Sequence, residues 1–165
     1  MITIDKNDVH SEIILKELEK DKWYEVEKDI TFSIFGGNLV VPKGFKTDLA
    51  SIPPKLQGIV PKRGLYDAGS ILHDYLYSEF SEYNINRQDS DIIFYSVIKS
   101  CGVDNRLANK FYSAVRLCGE NHYKKCKLNG NVPPERVAIV DKRTSYVKYK
   151  ENLEKLLPRY KTLYL

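Results

Sequence analysis

The placement of proline and glycine most constrains how this chain can fold. Between Gly44 and Gly64 lie Pro53, Pro54, Pro61 and Gly58. Proline removes a backbone donor and fixes φ, while glycine favours turns, so residues 43–65 read as mostly loop. That loop divides the chain. Before it, Trp23–Glu27, Ile30–Phe35 and Asn38–Pro42 are short runs rich in β-branched and aromatic residues, separated by Lys28-Asp29 and Gly36-Gly37. They predict an antiparallel β-meander. After it, apolar residues recur at helical spacing. Ala68, Ile71, Leu72, Leu76 and Phe80 predict a helix over about residues 66–80. Residues 89–101 predict a second, apolar on more than one side and so buried between neighbours. Asp104 caps a third, with Leu107, Phe111, Val115 and Cys118 along it.

The ends are read in the same way. Ser11 is placed to cap a short helix over residues 11–20, in which Ile14 and Leu18 lie four apart. Asn129–Pro134 reads as a linker, and residues 146–157 as a last amphipathic helix stopped by Pro158. The expected fold class is α+β: an N-terminal antiparallel β-meander, a three-helix unit and a C-terminal helix. Residues 1–128 form the expected domain, and 129–165 a linker with a basic helical extension.

Leu, Ile, Val and Phe supply 48 of the 165 residues, enough for a real core. No apolar run approaches the length of a membrane span, and no signal peptide is visible at the N-terminus. Three cysteines cannot all pair, which argues against a disulfide-built secreted domain. Charge is uneven: residues 1–123 hold 15 Lys/Arg against 18 Asp/Glu, and residues 124–165 hold 11 against 4. A basic tail suits nucleic acid, an acidic partner or an anionic surface, or a solvated helix with basic edges, and no nucleic-acid-binding module signature accompanies it.

Chemistry concentrates around one of the three histidines, in the run Asp67–Tyr77. On a helix His73 and Tyr77 share a face and Asp74 adjoins them. An imidazole base needs an acid that fixes its tautomer. Asp91 on the next helix is the candidate if the two pack antiparallel, with Asp89 the alternative. The bland reading makes His73 a structural residue and leaves Asp91 to favour a helix dipole. Asp48, in the loop, is a candidate metal ligand or second acid. Ser51 follows in the same run without a nucleophile elbow around it. Cys118, His122 and Cys126 lie at four-residue steps, but match no common zinc finger and read as ordinary residues.

The run Gly44–Pro53, then His73-Asp74-Tyr75-Leu76-Tyr77, then Ser90–Phe94 and Tyr112–Arg116 resembles a family of phage and prophage proteins without an established activity. The likeness covers about residues 22–123. It implies a viral setting: a virion or the host cytoplasm, with other phage proteins or a host factor as partners. The order Asp67, His73-Asp74, Tyr77, Asp91 also resembles the helix pair of phospholipase A2 enzymes, particularly the form in parvovirus capsid proteins. That likeness implies His73 as the base acting on water, Asp91 orienting it, Tyr77 bonded to Asp91, and Asp74 binding a divalent ion such as calcium. Those enzymes have a glycine-rich calcium loop, where this chain offers Gly58 and Gly64 in a basic, proline-containing stretch. Two functions are therefore expected: a non-enzymatic virion, tail or host-interaction module, or a small metal-assisted hydrolase.

Overall fold

The computed structural model describes residues 13–18, 23–34, 37–49, 64–83 and 85–128, without the side chains of 122 and 125–128. Five short strands precede three helices: β1 (Leu15–Glu17), β2 (Tyr24–Val26), β3 (Ile30–Ile34), β4 (Gly37–Val41) and β5 (Lys46–Thr47), then α1 (Asp67–Tyr77), α2 (Arg87–Ser100) and α3 (Asn105–Leu128). The chain is α+β, with antiparallel strands ahead of a three-helix unit.

The strands form two small sheets. β3 and β4 make a hairpin in which Ile30 faces Val41 and Phe32 faces Leu39. Ile30, Phe32 and Ile34 are buried while Thr31 and Ser33 are only partly so, the period-2 pattern of a strand with one face on the core. β2 lies between β1 and β5 in the second sheet. Gly44, at φ +83°, turns the chain back after β4, and its N–H donates to the Val26 carbonyl at 2.8 Å. A side chain disfavours that backbone conformation. The turn delivers β5 to the edge of β2, where Thr47 faces Tyr24.

Residues 11–20 were expected to be helical, yet Leu15–Glu17 is a strand paired with Val26–Tyr24. Ile13 and Leu15, two apart, pack against the core, whereas Ile14 between them is exposed. An isolated helix this short is marginal in water, and an available strand edge outweighs its propensity. The expected linker and C-terminal helix lie outside the described residues.

The helices are built on local signals. At the start of α2 the Asn86 side chain accepts from the Asp89 N–H at 2.9 Å and donates back to Asp89 Oδ2 at 2.8 Å. Asp104 Oδ1 accepts from the Leu107 N–H at 3.0 Å at the start of α3. Every residue from Asp89 to Ile98 is buried, because α2 packs against both α1 and α3. Ile71, Leu72, Leu76, Ile92, Ile93, Phe94 and Phe111 form the centre of the core with Phe32 and Leu39 of the hairpin. Tyr83, in the turn between α1 and α2, ties the layers together by accepting the Val40 N–H at 2.8 Å.

Candidate functional site

The polar residues of α1 and α2 meet because the helices run antiparallel and close. Gly69, early in α1, lies against Phe94 and Ile98 late in α2. One turn further along α1, His73 therefore comes opposite Asp91 near the start of α2. His73 Nε2 lies 2.8 Å from Asp91 Oδ1, and the Tyr77 hydroxyl donates to the same oxygen at 2.5 Å. Arg116 of α3 donates from Nη1 to Asp91 Oδ2 at 2.7 Å. The ring of His73 is packed between Tyr77, with centroids 4.1 Å apart, and Phe94, at 5.1 Å. Asp91 is fully buried and His73 is 4% exposed.

Electrostatics decide the state of this cluster. Burial alone would raise the Asp91 carboxyl, since it disfavours the charged form. Hydrogen bonds from His73, Tyr77 and Arg116, with the charge effect of His73, outweigh it and hold Asp91 below the ordinary carboxylate range. Burial, then the negative charge of Asp91, pushes the Tyr77 phenol well up, so it remains a donor. Burial would lower the Arg116 guanidinium, but its bond to Asp91 raises it. Asp91 is thus an anion that only accepts, surrounded by donors from three helical positions.

Asp74, next to His73, points elsewhere. Its Oδ2 accepts the Thr47 hydroxyl at 2.5 Å, and Thr47 Oγ1 in turn accepts the Leu49 N–H at 3.0 Å. Leu49 has φ +55°, a left-handed conformation that costs a branched residue energy and is held by its surroundings. Thr47, Asp48 and Asp74 line a cleft of about 580 Å³ together with Trp23, Phe45 and Phe80 among others. Trp23 and Phe80 stand at 40% and 47% exposure, so Phe80 turns to the cleft and away from the helix core where its spacing had placed it.

Of the sequence candidates, His73, Tyr77 and Asp91 come together, and Asp74 and Asp48 share the cleft. Asp89 belongs to the α2 cap. Asp67 sits in the first turn of α1 and accepts the Gly64 N–H at 3.1 Å. Ser51 lies outside the described residues. Cys118 is an exposed free thiol on α3, and the side chains of His122 and Cys126 lie outside those described. Thr47 and Arg116 were not singled out from sequence. The general signal for Arg116 is that a carboxylate inside an apolar helix needs a cation.

A calcium ion would need six or more oxygen ligands. Among the described residues no three His, Cys, Asp or Glu side chains gather into a metal-binding group. Among the described residues, Asp74, bonded to Thr47, and Asp48 on the same cleft supply two carboxylates toward that number.

An α+β fold with a buried His–Asp pair across two antiparallel helices is the class these observations define. The chain belongs to a family described as proteins of unknown function, DUF1353, whose profile matches residues 24–115. His73, Asp74, Tyr77 and Asp91 fall inside that span, and Arg116 one residue beyond it. No curated protein and no solved structure matches the chain significantly.

Proposed function

We propose that the chain is a small hydrolase with a phospholipase A2-like His–Asp site, His73 being the general base and Asp91 the acid that orients it. The observation that carries this reading is the His73 Nε2–Asp91 Oδ1 contact of 2.8 Å, with Tyr77 on the same oxygen. An imidazole whose Nε2 proton is held by a carboxylate presents Nδ1 as its basic atom. Water gives a proton to Nδ1 as its oxygen bonds to an ester carbonyl carbon. Collapse of the tetrahedral adduct breaks the bond to the alcohol oxygen, which takes the proton back from the ring. The neighbouring cleft, walled by Trp23, Phe45 and Phe80, suits the apolar part of such an ester. No step is assigned to a metal.

A second reading rests on a different observation. His73 is 4% exposed, and the cleft is lined by its neighbour Asp74. On that reading the His73–Asp91 cluster is a satisfied polar core of a non-enzymatic bacteriophage or prophage module, the setting implied by the sequence resemblance.

The two readings separate in one assay. Purified protein is incubated with phosphatidylglycerol vesicles and with a soluble short-chain ester, with and without calcium, and acid release is followed. The hydrolytic reading expects release by the native chain and a loss of about 10²–10⁴-fold in His73→Gln, with the melting curve retained. Absence of release under every condition, or equal release by His73→Gln, supports the structural module instead.

A further inference from the structure

Asp91 divides its two oxygens between two helices. Oδ1 takes His73 and Tyr77 from α1, and Oδ2 takes Arg116 from α3. Among the described residues, Arg116 is the permanent cation bonded to Asp91. A fully buried carboxylate must be matched by a counter-charge. If His73 were that counter-charge, its ring would hold two protons and could not act as a base. A guanidinium keeps its charge at every relevant pH, so its bond balances Asp91 without calling on the ring.

We infer that Arg116 is a positioning residue for the proposed base: it balances Asp91 through Oδ2 and leaves Oδ1 to orient the His73 ring. The inference rests on the hydrolytic reading above and extends it to a third helix.

The rest of α3 is built to bring Arg116 there. Arg116, Gly119 and Tyr123 lie three and four residues apart, on one helical face. A β-carbon on Gly119 would sit 3.0 Å from the Tyr77 hydroxyl oxygen, so its absence lets α3 approach the cluster. The Tyr123 ring meets Tyr77 edge-on, with centroids 5.0 Å apart and planes at 76°. From α2, Arg87 donates to the backbone carbonyl of Val115 at 3.2 Å and to that of Arg116. Arg87 thereby holds the backbone that carries Arg116.

Arg87 of α2 is a second guanidinium beside the cluster and acts on Tyr77, whereas Arg116 is the one bonded to Asp91 among the described residues. Tyr77 of α1 and Tyr123 of α3 are both shifted toward the neutral phenol by burial and by Asp91. Tyr112 also faces Arg116. Glu120, one turn along α3, is exposed and paired with Lys124 at 2.6 Å.

The test compares Arg116→Gln, which keeps a hydrogen-bond donor but removes the charge, with Arg116→Lys, which keeps the charge. The charge state of His73 is followed by side-chain ¹⁵N NMR across pH, with thermal melting as the fold control. The expected result is a His73 titration midpoint about one pH unit or more higher in Arg116→Gln than in the native chain. Arg116→Lys should stay close to native. A folded Arg116→Gln with an unmoved midpoint reduces Arg116 to a structural salt bridge and overturns the inference. Should Arg116→Gln not fold, a folded Arg116→Lys with a raised midpoint overturns it on its own, and a native midpoint sustains it. No substrate is involved, so the result stands apart from the hydrolysis assay. A charge effect without hydrolysis would refute the enzyme and leave the charge balance in place.

Discussion

Gly69 of α1 approaches Ile98 of α2 so closely that a β-carbon there would stand 2.5 Å from Ile98 Cγ2. Phe94 Cδ2 would be 3.3 Å away. Both neighbours are buried, so neither can swing aside into solvent. This contact sets the spacing at which His73 meets Asp91. Alanine ordinarily favours a helix over glycine, but here overpacking outweighs propensity. Gly69→Ala should destabilise the protein by about 1–3 kcal/mol in urea unfolding. A stabilised variant would mean that the helices are not this close.

Asp91 links the cluster to acid stability. Its carboxyl is held below the ordinary aspartate range when folded, so the unfolded chain binds its proton more readily. The contribution is complete above the unfolded value and is lost as pH falls through the folded one. Asp91→Asn should cost about 1–3 kcal/mol near neutral pH, since Arg116 at 31% exposure can partly rehydrate. The gap between native and variant should close below about pH 4. Urea unfolding over an acid series measures it; a gap that widens in acid would reverse the assigned sign.

Thr47 fastens the cleft to α1 through Asp74 and holds the left-handed Leu49 through its N–H. Thr47→Val keeps the shape and removes both bonds. Its expected cost is about 1–2 kcal/mol, with faster hydrogen exchange at the Leu49 amide. Unchanged exchange there would show that the threonine hydroxyl does not hold the turn.

The helix pair was legible because a helix projects residues four apart onto one face, so His73 and Tyr77 were readable as a pair and Asp91 as their partner across an antiparallel packing. Other features depended on contacts distant in sequence. Ile13 and Leu15 carry a two-residue alternation too brief to outweigh the helical look of residues 11–20, and only the edge of β2 makes it a strand. Thr47 reaches Asp74 across 27 positions, and Arg116 reaches Asp91 across 25. Neither pairing leaves a local pattern, since a loop hydroxyl and a helical arginine have many alternative partners.

The most direct measurement of the central claim is the tautomer of His73, read from long-range ¹H–¹⁵N NMR couplings in the native protein at mildly alkaline pH. If Asp91 orients a base, the proton resides on Nε2, and Nδ1 gives the shift of an unprotonated imidazole nitrogen. Asp91→Asn should weaken that preference. A proton found on Nδ1, or on both nitrogens, would contradict the account, because Nδ1 would then carry no free lone pair with which to take a proton from water.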